Sequence, residues 1–376
     1  MLQCHYIKTY FIKFVIILGG KNCPKIALKG SLTPQKRRGA YNSGGTTTAS
    51  RPTPHGLKMA NFLDPAILFF IFGVFAGVVK SNLEIPQPIA RFLSLYLLMA
   101  LGLKGGFALE QSGFTADIGL ALGLAVALAA LTPLAGYAVL RTRLNPYDSA
   151  AIAATYGSVS AVTFITATQA LSLYGVSYGG HMAAAMALME SPAIILAILL
   201  ANKARATATQ NHQPIRMGKI LHESFTDGAQ LLLLGSMAVG MMSGEAGKAL
   251  MAPFSIDLFK GMLAFFLLDM GLMAAKNFSG LKGKPAITLM YAVGAPLAHA
   301  AIALLCCKLL VLPLGDSILL MVLAASASYI AVPAVLRHAL PEVNPGLYMG
   351  MSLGITFPLN IIFGIPLYTF VAKAVL

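Results

Sequence analysis

Two serine pairs, Ser158-Val159-Ser160 and Ser326-Ala327-Ser328, are the residues of this chain best placed to do chemistry. Each lies deep in an apolar run, and each follows an Asp-Ser dipeptide at the same distance. Ser158 comes ten residues after Asp148, and Ser326 ten after Asp316. The copies are 168 residues apart; Gly102-Leu103 with Gly271-Leu272, and Pro192 with Pro358, repeat near that offset. A serine inside a helix competes with the backbone for hydrogen bonds, and Gly157 and Pro333 weaken the same stretches further. A break there frees N–H groups at a positive half-helix end, which suits a small anion. Serine hydroxyls donate to an oxyanion or accept around a cation, so the pair suits an anion together with sodium. One such motif alone would be read as packing or bonding back to its own turn. Two in register point to a site.

Other polar residues stand inside apolar runs. Asp269, in FFLLDMGLMAAK, is an intramembrane carboxylate, which by default marks an ion pathway. A structural partnership with Lys276, two turns on, is the plainer alternative. Glu190, in MESPA, precedes Pro192 beside an expected kink; it reads as a sodium ligand or substrate gate, or as a local ion pair or cap. His299, after Pro296, reads as a helix–helix hydrogen-bonding residue ahead of a proton relay. His181, near the end of a run, is expected to face the membrane interface. GLKGG (102–106) is no nucleotide loop, since no strand precedes it and no Lys-Ser/Thr follows; close helix packing explains it better. Cys306 and Cys307 are adjacent, and no Cys/His metal spacing exists. No resident cofactor or metal is expected beyond a coupling sodium ion, and no spacing singles out a catalytic triad.

Long apolar helices are needed to hold these residues. The chain of 376 residues is 57% hydrophobic and 11% charged, with mean hydropathy +0.76, too apolar for a soluble domain to cover. The bilayer is its expected solvent. Ten spans are expected, at 65–81, 86–109, 116–141, 148–173, 179–202, 226–243, 255–277, 285–311, 315–339 and 347–373. The polar stretch 203–224 separates a first five-helix repeat (59–202) from a second (225–376). Five is odd, so the second repeat enters from the opposite side and is inverted. The expected fold is therefore all-α and integral to the membrane, with broken helices in spans four and nine. The chain has no Trp, so Tyr96, Tyr137, Tyr174, Tyr178, Tyr291 and Tyr348 are candidates for the interfaces.

Charge sets the orientation. One set of loops holds twelve Lys/Arg, among them Arg141, Arg143, Lys203 and Arg205; the other holds five, among them Lys248 and Lys308. That bias places 203–224 in the cytoplasm and the Met59 end outside. The net charge of +14 does not indicate nucleic acid, because ten Lys/Arg and no acid lie in residues 1–58. That segment reads as a disordered extension or an upstream mis-start, with Met59 the expected beginning.

From Met59 on, the chain resembles the sodium-dependent bicarbonate transporter family, known from cyanobacterial symporters. GLKGGFAL (102–109), YGSVSAVTF (156–164), ESPAIILAILLAN (190–202), APLAH (295–299), AASASYIAVPAVLR (324–337) and NPGLYMG (344–350) carry the resemblance. It implies ten helices in a core and a gate domain, homotrimers in a bacterial inner membrane, and sodium-driven uptake of bicarbonate or a similar small anion. It implies bicarbonate between the serine motifs, which gives substrate roles to Ser158, Ser160, Ser326 and Ser328 and weaker ones to Thr163 and Thr356. A PII-like regulatory protein at the cytoplasmic face is a further implied partner. Cyanobacterial members have an aspartate where this chain has Tyr329. Either Asp269 or Glu190 supplies the missing charge, or coupling is weaker, or another anion is carried. A sodium-coupled organic-anion symporter of the same plan, with a larger pocket, is the alternative. A membrane-embedded enzyme would need a nucleophile–base arrangement that is not evident.

Overall fold

Three helix starts in this chain share one device. Asp64 accepts the Ala66 N–H at 2.8 Å and Pro65 opens the first helix. Asn145-Pro146 and Asn344-Pro345 repeat it: Asn145 accepts from the Asp148 N–H and Asn344 from the Gly346 N–H, each at 2.8 Å. The cap satisfies an orphan donor, and proline at the first helical position has no N–H to strand.

The computed structural model describes residues 64–113, 116–207, 228–278, 285–340 and 342–376, and no strand occurs among them. The helices are α1 (Pro65–Val78), α2 (Gln87–Ser112), α3 (Ala116–Leu140), α4 (Pro146–Gly157), α5 (Ala161–Leu173) and α6 (Met182–Thr207). There follow α7 (Gly228–Ala252), α8 (Phe259–Phe278), α9 (Ala286–Leu309), α10 (Leu314–Ala325), α11 (Ala331–Ala339) and α12 (Pro345–Val375). α12 is one rod with two π-helical segments, Gly350–Thr356 and Asn360–Gly364. α7 bends at Gly244, whose φ of 54° is readily adopted by glycine.

Six stretches among the described residues are long and apolar enough to cross a bilayer: Gln87–Gln111, Ala116–Leu140, Pro146–Leu173, Gly228–Asn277, Ala286–Leu309 and Pro345–Val375. α1 and α10 are apolar but shorter. Outward-facing Leu131, Met242, Met290 and Phe370 suit a lipid surround. α6 continues to Thr207, so residues 203–207 of the expected linker are helical. The rest of that linker, and the extension 1–58, lie outside the described residues.

In lipid, apolar side chains give helices no special reason to associate, so small residues that let backbones approach do much of the packing. α1 packs on α8 and α2 on α7 in this way. A Cβ on Gly73 would collide with the Leu268 carbonyl oxygen and lie 3.1 Å from the Gly271 Cα. A Cβ on Gly106 would collide with the Met237 carbonyl oxygen and lie 2.9 Å from the Gly240 Cα. Gly240 lies 167 residues after Gly73 and Gly271 lies 165 after Gly106, close to the serine offset. The glycines of GLKGG are thus helix contacts, as read from the sequence.

The tyrosines depart from expectation. Tyr96, Tyr137, Tyr291 and Tyr348 are buried rather than interfacial. Tyr96 donates to the Phe254 carbonyl, and Tyr291 meets Tyr156 edge-on at 5.1 Å between ring centroids. Interior packing outweighs the interfacial preference where an aromatic ring can fill core volume.

Candidate functional site

Both serine motifs are helix breaks. α4 stops at Gly157 and α5 starts at Ala161; α10 stops at Ala325 and α11 starts at Ala331. The first residues of the two breaks share one backbone conformation, φ −94° and ψ 173° at Ser158, φ −81° and ψ 168° at Ser326. Pro133 of α3 presses on the end of α4: a Cβ on Gly157 would lie 2.6 Å from its ring. Ser160 then caps α5, its Oγ accepting the Thr163 N–H at 3.2 Å and touching Thr163 Oγ1 at 3.0 Å.

The broken segments hold each other. The Ser160 N–H donates to Ser326 Oγ at 2.9 Å, and that hydroxyl donates on to the Leu323 carbonyl at 2.8 Å. The Ser328 N–H donates to the Thr155 carbonyl at 2.8 Å, while Ser328 Oγ accepts from the Val332 N–H at 3.3 Å. Non-helical backbone within a membrane protein must find partners inside the protein, and each break supplies them to the other.

Beside the crossing lies a cavity of about 190 Å³. Residues 159–162 of the first break and 328–331 of the second line it. Ala161 and Val162 open α5 and Ala331 opens α11, so two half-helix N-termini meet one cavity. First-turn N–H groups lack helical acceptors and carry the positive end of the helix dipole. Such ends favour an anion. Glu190 of α6 and Gln230 of α7 also line the wall, the amide Nε2 donating to the carboxylate at 2.9 Å. Ser94 of α2 and Tyr329 also line the cavity, the Tyr329 hydroxyl itself being buried.

The residues singled out in the sequence are distributed unevenly. Ser160, Ser328, Glu190 and Tyr329 are on the cavity wall. Ser158 and Ser326 lie in the breaks but off the wall, and the buried Ser158 hydroxyl has no hydrogen-bond partner among the described residues. Thr163 stands behind Ser160. Thr356 is also off the wall: its hydroxyl donates to the Ala292 carbonyl at 2.7 Å and meets Tyr156 Oη at 2.6 Å, tying α12 to α9 and α4. Asp269 is buried on α8 one turn beyond the cavity-lining Phe266, where the Lys276 charge acts on it. His299 Nδ1 lies 3.2 Å from the Ala324 carbonyl and links α9 to the end of α10, the helix–helix role. His181 is not interfacial; it is buried, its Nε2 3.4 Å from Asp316 Oδ2.

Gln230 and Ser94 escaped the sequence reading. Gln230 carried a usable signal, an amide in the apolar run GAQLLLLG, where a polar group is costly without a partner. Ser94 carried none, since a lone serine in a membrane helix is ordinary.

No curated protein matches this chain. A model of the Na+-dependent bicarbonate transporter superfamily does match, over residues 65–373. That range takes in α1 to α11 and all but the last two residues of α12, with both breaks and the cavity. The apolar helices and this match together mark a multi-pass membrane transporter. The chain belongs to the Na+-dependent bicarbonate transporter superfamily.

Proposed function

We propose that the protein is a sodium-coupled importer of bicarbonate, or of a similarly small anion, in a bacterial inner membrane. The cavity at the two half-helix N-termini carries this reading. At about 190 Å³ it falls below the roughly 300–1,000 Å³ of pockets for drug-sized ligands, which favours a small ion over a larger organic anion. The anion sits against the α5 and α11 N-termini, with Ser160 and Ser328 on the wall and Ser158 and Ser326 shaping the breaks. Sodium binds near Glu190, the carboxylate of the wall. At an effective dielectric near 20, a cation about 4 Å from the anion contributes on the order of 4 kcal/mol, so sodium binding lowers the cost of admitting the anion.

The architecture that goes with this reading is ten spans in two inverted five-helix repeats. Its support is the matched dihedrals of Ser158 and Ser326 and the exchanged glycine contacts, α1 on α8 and α2 on α7. Transport then proceeds by alternating access, the broken helices moving with the core past a gate. The family resemblance adds homotrimers and a PII-like regulator at the cytoplasmic stretch 203–224. Labelled bicarbonate uptake into proteoliposomes, with and without an inward sodium gradient, tests the function. Sodium-stimulated accumulation is expected; uptake indifferent to sodium in a folded preparation rejects the coupling.

A further inference from the structure

α12 meets the crossing at two points that the cavity does not explain. Thr356 ends its first π-helical segment and Asn360 starts the second, four residues on and so on the same side of the helix. Both are buried, at 0% and 1% exposure. The Thr356 hydroxyl gives its one proton to the Ala292 carbonyl of α9, so Tyr156 Oη is the donor in the 2.6 Å bond to Thr356 Oγ1. Tyr156 stands on α4, two residues before Ser158. Asn360 Nδ2 donates to the Ala325 carbonyl at 2.7 Å, and Ala325 is the last residue of α10, directly before Ser326. One helix therefore grips both broken helices at the rim of their breaks.

The Asn360 amide is aimed as well as buried. Its nitrogen must face Ala325, because a carbonyl can only accept; its oxygen then accepts from Tyr368 Oη at 2.9 Å. Gly364 lies between them on α12, and a Cβ there would come within 2.6 Å of Asn360 Oδ1 and 3.0 Å of the Tyr368 ring. The end of α10 leaves carbonyls without helical partners. Those of Leu323, Ala324 and Ala325 are met by Ser326, His299 and Asn360, and of the three only Asn360 comes from α12. Thr356 makes the corresponding hold on α4 through Tyr156. Ala161 and Ala331, the first residues of α5 and α11, follow Tyr156 and Ala325 by five and six positions. What α12 fixes at the two held residues is thus passed on to both half-helix N-termini at the cavity. We propose that Thr356 and Asn360 are positioning residues that hold the two breaks in register, so that both N-termini converge on one anion. The proposal rests on the reading of the cavity as an anion site.

Asn360→Leu and Thr356→Val remove the two holds at nearly constant volume, while Thr356→Ser keeps the hydroxyl. Thr369→Val is the control, a buried threonine of α12 whose hydroxyl bonds back to the Ile365 carbonyl of its own helix. In proteoliposomes fed labelled sodium bicarbonate, the half-saturating bicarbonate concentration should rise roughly tenfold in Asn360→Leu and in Thr356→Val, the order of one lost buried hydrogen bond. It should return to the parent value in Thr356→Ser and stay there in Thr369→Val. A lower maximal rate or melting temperature with unchanged half-saturation makes both residues ordinary packing and overturns the proposal. Where Asn360→Leu does not fold, Tyr368→Phe removes the hydroxyl that orients the amide and should raise half-saturation in the same direction; an unchanged value overturns the role of Asn360. Amide hydrogen exchange reads the register without transport. The segments holding Ser160 and Ser328, whose N–H groups bond across the crossing, should exchange faster in Asn360→Leu and Thr356→Val than in Thr369→Val. A parent without bicarbonate uptake rejects the bicarbonate reading but leaves this comparison able to judge the two residues. Exchange unchanged at both breaks, or faster by one factor throughout the protein, overturns the proposal.

Discussion

Individual side chains at the crossing divide into those that hold backbone and those that face the cavity. Ser326 belongs to the first kind: its hydroxyl is already used twice, by the Ser160 N–H and the Leu323 carbonyl. Ser326→Ala strands the Ser160 N–H in the interior, at a cost of about 1–3 kcal/mol. The expected result is a lower melting temperature together with weaker transport. Normal stability with impaired anion affinity would instead make Ser326 a direct ligand. Glu190 belongs to the second kind. Glu190→Gln keeps the shape and removes the charge, so the half-saturating sodium concentration should rise roughly tenfold, the equivalent of about 1.4 kcal/mol. Sodium dependence identical to the parent would move the cation site elsewhere, with Asp269 next in line. The sequence exposed these residues because polar groups are rare in its apolar runs. It could not show Gln230 against Glu190, since that pairing joins α7 to α6 across 40 residues and depends on packing alone.

Helices in this protein are positioned by where they lack side chains. A Cβ at Gly271 would collide with the Phe70 carbonyl oxygen and lie 2.8 Å from the Val74 nitrogen, so α1 and α8 must separate to admit it. Gly271→Val is therefore expected to destabilise the protein by about 1–3 kcal/mol, as overpacking does. Gly294 on α9 has nothing within 4 Å of its would-be Cβ, and Gly294→Ala should be neutral or stabilising by up to roughly 1 kcal/mol. Thermal melting in detergent separates the two, and similar effects at both sites would show that close approach is not what Gly271 serves. The breaks were legible because Gly157 and the serine pairs act within a turn or two; the far ends were less so, α6 running to Thr207 and α7 to Ala252 where 202 and 243 were expected. The exchanged contacts were half legible: the matching glycines stood in the sequence, but which helix each one met did not. The π segments of α12 had no signal, because a widened turn is chosen by neighbours such as the Tyr156–Thr356 bond rather than by local propensity.

For the molecule as a whole, the decisive question is whether the two halves are inverted or merely repeated. Parallel repeats would leave equivalent connections on one side of the membrane; inverted repeats put them on opposite sides. The α3–α4 and α9–α10 connections are such a pair, with Thr142 in the first and Val311 in the second, 169 residues apart. Both are exposed, Val311 at 85%. Arg141 and Arg143 flank Thr142, whereas Lys308 is the nearest base before Val311, so the charge rule sends the first connection to the cytoplasm. Thr142→Cys and Val311→Cys, each compared with the parent whose own cysteines set the background, convert this into a labelling experiment. An impermeant maleimide added to intact cells should modify Val311→Cys and spare Thr142→Cys, and permeabilised cells should label both. Labelling of both from outside, or of neither, would break the inversion. The two half-helix N-termini would then no longer be related by a two-fold axis, and alternating access would need another basis than exchange of equivalent halves.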